Sequence, residues 1–171
     1  APATLPPGVV AEVDATLTGA VPAPEWPQQY KLSAYDPRDE LELYNLIESA
    51  FKWEGRDSNP IENWRNLVVR GGRCDPNYFL MVRDGEQLVA AALAYNEDVE
   101  GWVRQLAVSK DHQGSGLGGL LLRHMIHLFS ITGAQRVALG VASLNQKACR
   151  FYERNGMFRS REFIEYRKRF D

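Results

Sequence analysis

The tightest constraint in this chain of 171 residues is the run Gln113-Gly114-Ser115-Gly116-Leu117-Gly118-Gly119. Glycines at four of seven positions leave backbone N–H groups unscreened and open the positive-φ region to the turn. A β-branched, apolar segment at 102–108 precedes the run, and an amphipathic pattern from 116 to 132 follows it. The glycines therefore join a strand to a helix. Their N–H groups, the free N–H groups of the first helical turn and the helix macrodipole together make a place for an anion. A pyrophosphate is the natural guest, and a plain tight turn with a close helix–strand contact is the alternative. No Lys-Ser or Lys-Thr follows the glycines, so this is not a nucleoside triphosphate loop of the Walker type. A dinucleotide fingerprint would open a parallel βαβ fold and carry an acidic residue about 20 positions on. This turn comes late, after antiparallel strands.

Periodicity places the other elements. Residues 30–35 read as a short strand. Asp36-Pro37 starts a helix, with Leu41, Tyr44, Ile47 and Phe51 at helical spacing. Residues 51–58 form a loop holding Trp53, Glu54, Arg56 and Asp57. Asn59-Pro60 opens a second helix with Glu62 set for a capping box, an apolar face of Ile61, Trp64, Leu67 and Val68, and a stop at Gly71-Gly72. Strands follow at 78–82 and 87–95 around an Asp84-Gly85 turn, then at 102–108 after a break at 96–101. The long helix buries Leu117, Leu120, Leu121, Met125, Leu128 and Phe129 and ends at Gly133. A strand at 136–141, a helix from Asn145 to about 154 and two final strands within 157–170 complete the chain. The fold class is α/β, a mixed, mostly antiparallel sheet flanked by helices.

Hydrophobic residues make up 44% and charged residues 25%, which suits one ordinary core and excludes wholesale disorder or a coiled coil. A net charge of −2 argues against nucleic acid as a partner. The longest apolar run, Leu88 to Tyr95, is far short of a bilayer span, so no membrane partner is expected. Cys74 and Cys149 make neither a disulfide framework nor a metal-ligand spacing, which points to a reducing, cytoplasmic compartment and no metal. Residues 1–29 carry six of the nine prolines. They read as a Pro-rich N-terminal segment or linker, with one strand within 9–17, ahead of a domain over 30–171.

The run Arg104-Gln105-Leu106-Ala107-Val108, then Gln113-Gly-Ser-Gly-Leu-Gly118, a helix, a strand, Asn145 and Phe151-Tyr-Glu-Arg-Asn-Gly-Met157 resembles the GCN5-related N-acetyltransferases (GNAT) in order and spacing. The resemblance implies a splayed central strand pair at a cofactor cleft and acetyl-CoA as co-substrate. Leu106, Ala107 and Val108 would bind the pantetheine arm as an added strand. Gln113, Gly114, Ser115, Gly116, Leu117, Gly118 and Gly119 would hold the pyrophosphate, and Asn145 would contact the arm. Tyr152 would be the general acid. Its chemistry agrees, because a phenol with a pKa near 10 keeps its proton at neutral pH and can offer it to a departing thiolate. A tyrosine merely packed beside Phe151 is the plainer reading, as a simple N-cap is for Asn145.

Many relatives place a glutamate on the strand before the loop, where this chain has Trp102. Glu97, Asp98 and Glu100 are nearby bases, each read more simply as a solvated loop residue, and a water or no dedicated base are further options. Trp53, Glu54, Tyr95, Glu100 and Trp102 are the acceptor-side candidates. Aromatic rings beside carboxylates suit a small-molecule or peptide amine with an apolar body. The expected activity is direct acetyl transfer to a primary amine in a ternary complex. A non-catalytic acyl-CoA sensor of the same fold is the rival, and binding of NAD or ATP a third reading. A homodimer, or a second domain of the same family, is the partnership the resemblance allows.

Overall fold

The computed structural model describes residues 8–51, 58–73 and 75–165. Seven strands form one sheet in the order β2-β3-β4-β5-β6-β1-β7. They are β1 (Gly8–Thr16), β2 (Tyr30–Ala34), β3 (Phe79–Asp84), β4 (Gln87–Glu97), β5 (Glu100–Val108), β6 (Arg136–Ala142) and β7 (Phe158–Glu165). Only β5 and β6 run parallel. The helix that joins them is α3 (Leu117–Ile131).

β4 explains the long apolar run. Ala90, Ala92 and Ala94 face the core beneath α3, and Ala91 and Leu93 face the core beneath α1 (Glu40–Phe51). A strand buried on both faces has no polar side to alternate with. Its neighbour β5 follows through a tight turn in which Asp98 takes φ +58°, so the expected break at 96–101 is a hairpin. Gly101 then sits under Phe129 of α3. A Cβ there would lie 2.5 Å from two ring atoms.

Several helix faces are offset from their sequence patterns. α1 begins as expected: Asp36 accepts from the Arg38 N–H at 2.9 Å, ahead of a 3-10 turn. It buries Leu43, Leu46 and Ile47, while Leu41 is 59% exposed. α2 (Ile61–Trp64) runs into a π turn (Arg65–Val69), closed by Arg70 N–H to Arg65 C=O at 2.8 Å. The wider turn keeps Trp64 and Val68 buried and swings Leu67 outward. No capping box forms. Glu62 pairs with Arg65, and the Asn59 N–H goes to Glu48 at 3.2 Å. On α3, Leu122 and Ile126 join Leu117, Leu121, Met125 and Phe129 in the buried stripe, and Leu120 and Leu128 lie at its rim.

Residues 8–16 are built into the sheet. β1 fills the slot between β6 and β7, and its Ala11 and Val13 are fully buried. On its other face Glu12, 3% exposed, pairs with Arg136 and Arg161. Residues 17–30 then strap the outer flank of α3. Val21 N–H reaches Ser130 Oγ at 2.8 Å, His127 Nδ1 bonds Val21 C=O at 2.6 Å, and the Trp26 indole donates to His124 Nδ1 at 3.1 Å. The strand expected within 9–17 is β1. At the other end, the described residues hold one strand, β7, where two were expected.

Candidate active site

β5 and β6 pair only from Glu100 to Trp102 against Arg136 to Ala138. Beyond that they diverge, and β5 stays paired with β4 alone. The Ser109 N–H to Val89 C=O bond at 2.8 Å sets the phase of the antiparallel ladder. Alternation then turns the backbone groups of Ala107 and Gln105 toward β4, and those of Leu106 and Val108 toward the gap. Gln113 Nε2 donates to the Val108 carbonyl at 3.1 Å. The Leu106 N–H and C=O and the Val108 N–H face the gap, where a ligand can bond them as another strand would.

The gap opens into a cleft of ≈ 500 Å³. Leu106 and Val108 form one wall, and the glycine turn forms another with Gln113, Gly114, Gly116, Gly118 and Gly119. The third wall is α4 (Gln146–Arg154), with Asn145 and Tyr152. Gly114 and Gly116 take φ of +79° and +85°, which is what their lack of a side chain permits. Gly118 and Gly119 face α4. A Cβ on the first would sit 3.4 Å from the Phe151 ring, and on the second 3.1 Å from Asn155 Oδ1, so α4 lies close on the first turn of α3.

Three of the expected ligand residues keep their side chains out of the cleft, so any bond they offer a ligand comes from the backbone. Ala107 is buried in the core beneath α1, and Leu117 is buried beneath α3. The Ser115 hydroxyl donates to the His112 carbonyl at 2.5 Å. Asn145 both caps and lines: its Oδ1 accepts from Ala148 N–H at 3.2 Å while the residue borders the cleft. Phe151 and Tyr152 both line the cleft, their rings edge-to-face at 5.1 Å. Burial pushes the Tyr152 phenol up to about 12, with a smaller contribution from Cys149.

Of the acceptor-side candidates, Tyr95, Glu100 and Trp102 are described, and none of the three lines this cleft. Trp53 and Glu54 lie outside the described residues, as do Arg56, Asp57 and Cys74. Glu100 is held by Arg136 at 2.7 Å, and Arg136 also binds Glu12 and Asp14. It is the first residue of β5, about 26 Å of extended strand from Val108. Glu97 and Asp98 sit in the exposed turn at that same end. Tyr95 and Trp102 are register partners, half-buried, on the face opposite α3, because Gly101 and Val103 on either side of Trp102 face α3. Trp102 marks the last rung before β5 and β6 part.

The structure adds residues that the motifs passed over. Ala50 and Phe51 from the end of α1 close one side. His112 joins the lining, its Nε2 3.2 Å from Asp84 and its Nδ1 2.8 Å from the Ser109 hydroxyl. Lys147 and Arg154 line the α4 wall together with Phe151. Spacing held the signal, since 147, 151 and 154 stand at i, i+4 and i+7. Among the described residues no carboxylate lines the cleft, and no group of metal-ligating side chains is found. No described helix is long and apolar enough to cross a membrane.

The model of the acetyltransferase (GNAT) family matches residues 40–157. Among solved structures, the chain is similar to a GCN5-related N-acetyltransferase from Sphaerobacter thermophilus, with 27% identity and a TM-score of 0.77 over 96% of this chain and 52% of that one. It thus spans about half of that protein's length. A GNAT-family acetyltransferase from Novosphingobium aromaticivorans matches with 19% identity and a TM-score of 0.68 over 95% of this chain and 65% of that one. The ribosomal-protein-S18-alanine N-acetyltransferase of Escherichia coli matches with 22% identity and a TM-score of 0.63 over 74% and 76%. No curated protein matches the chain.

Proposed function

The chain belongs to the GNAT family of acetyltransferases, and on that premise we propose that it moves an acetyl group from acetyl-CoA to a primary amine by direct attack in a ternary complex. One observation carries the reading: the strand gap, the glycine turn and Tyr152 open into a single cleft. The residues present fit the co-substrate. Unpaired strand groups match an amide-bearing arm, and two positive-φ glycines at a helix N-terminus match a pyrophosphate. An anion meets no described carboxylate in the cleft.

When bound, acetyl-CoA supplies an activated acyl group on a thiolate that can leave. The Leu106 and Val108 backbone groups orient the arm, and an N–H near Val108 polarises the acyl oxygen. Tyr152 holds a proton through the neutral range and presents it to the sulfur as charge develops there. The amine gives up its proton to water before or during attack. Tyr95 and Trp102 offer an apolar surface to the acceptor from the opposite face, which suits a small-molecule or peptide amine. We place the reaction in the cytoplasm, with no metal, and pair the domain with a second copy or a second domain of its family.

The test is release of free thiol from acetyl-CoA across a panel of amines, run beside calorimetric titration of CoA. Amine-dependent release is the expected result. Tight binding without release from any amine would make the protein a sensor, and binding of NAD or ATP in place of CoA would remove the reading.

A further inference from the structure

Two cations on the cleft wall have no ion-pair partner among the described residues. Arg38, Arg65, Arg83, Arg136, Arg159 and Arg161 each lie against a carboxylate. Lys147 and Arg154 have no ion-pair partner among the described residues, yet both line the cleft. They stand seven residues apart on α4, with Phe151 between them on the same stripe. Gly118 and Gly119 bring that stripe close to the start of α3, so both cations share the cleft with the glycine turn.

The two anion-binding elements differ in kind. The glycine turn offers neutral N–H groups and a helix dipole, which suit the singly charged phosphates of a diester-like pyrophosphate. Lys147 and Arg154 offer two full positive charges. A terminal phosphate monoester, with its second pKa near 6, carries nearly two negative charges at neutral pH. Guanidinium and ammonium donors bond such a group more strongly than neutral donors do. Coenzyme A carries both kinds of group, a pyrophosphate and a 3′-phosphate monoester on its ribose. We propose that Lys147 and Arg154 bind the 3′-phosphate, so that this cleft selects a 3′-phosphorylated donor over dephospho-CoA and over a bare phosphopantetheine arm. The inference rests on the reading of the cleft as a CoA site.

Calorimetric titration of the full chain with CoA and with dephospho-CoA, in the wild type and in the double variant Lys147→Gln/Arg154→Gln, tests it. Both positions are exposed on α4, and thermal melts confirm that the variant is folded. The wild type binds CoA about 10- to 100-fold more tightly than dephospho-CoA at low salt, and the ratio shrinks as salt is raised. The double variant loses that ratio by losing affinity for CoA alone, and Lys147→Arg/Arg154→Lys keeps most of it. Equal binding of the two ligands by the wild type overturns the inference and leaves the CoA site standing. An equal loss for both ligands in the double variant also overturns it, because the cations would then serve the pyrophosphate. Binding of neither ligand by the wild type removes the CoA reading, and this inference with it.

Discussion

Tyr152→Phe removes one oxygen and leaves the ring against Phe151 and the core. Burial sets the phenol at about 12. At pH 7 roughly one molecule in 10⁵ has lost that proton, so Tyr152 gives the rate no alkaline limb below about pH 11. The same value limits what the phenol can do. A thiol has a reference pKa near 8.5, so outright transfer from phenol to thiolate runs uphill by about 3.5 units, or ~5 kcal/mol. Tyr152 therefore works by holding its O–H on the sulfur while charge grows, and yields the proton only as another replaces it. That is the work of a positioned hydrogen-bond donor, for which removal costs about 10²–10³ in turnover. Turnover of Tyr152→Phe is expected to fall by that amount, with CoA affinity and melting temperature close to wild type. The assay is a series of acetyl thioesters with leaving thiols of different pKa. The loss shrinks toward unity for an aryl thiol of low pKa, which departs without help, and is largest for the alkyl thiol of CoA. A variant of near-normal rate, or one equally impaired with every thioester, would refute the argument and leave the sulfur to water.

Gly116→Asp places a carboxylate where the turn holds its anion, and it is expected to abolish CoA binding with circular dichroism unchanged; acidification should not restore binding, since the pyrophosphate stays anionic. Gly101→Ala drives a methyl into the Phe129 ring, which is fully buried and stacked on Tyr78 at 4.9 Å, and is expected to cost about 1–3 kcal/mol in urea unfolding. The added penalty should shrink in a Phe129→Leu background. Glu100→Gln weakens the Arg136 network and lowers the melting temperature, while kcat per folded molecule stays at the wild-type value; a large fall in kcat would return Glu100 to the reaction. His124 has its pKa lowered by burial and, less, by His127. The unfolded chain thus takes up this proton first, so the stability from neutral His124 is present above about pH 6.5 and is lost as pH falls below it. Unfolding free energies at pH 7.5 and 5.5 should differ less in His124→Gln than in the wild type, and identical differences would show that the strap does not feel this group.

Fold class, and the turns and cap that border the cleft, were legible in local sequence. Local rules sufficed where a residue's role depends on its neighbours in the chain: the glycines at 114 and 116, the Asn145 cap, the Asp84-Gly85 turn and the strand–turn–helix around residue 113 are all where short-range geometry puts them. The tertiary structure decided whatever depends on distance across the fold. Ala107 and Leu117 belong to the glycine-turn neighbourhood in sequence, yet strand alternation and helix phase send their side chains into two different cores. Lys147 and Arg154 become cleft residues because α4 packs against the first turn of α3. Glu100 has Arg136 of β6 beside it, a partner 36 residues away that no local rule reveals. The strand within 9–17 was legible from its β-branched residues, but its place was not: residues 8–16 pair with β6 and β7, 120 or more positions away, through backbone groups that carry no sequence signal.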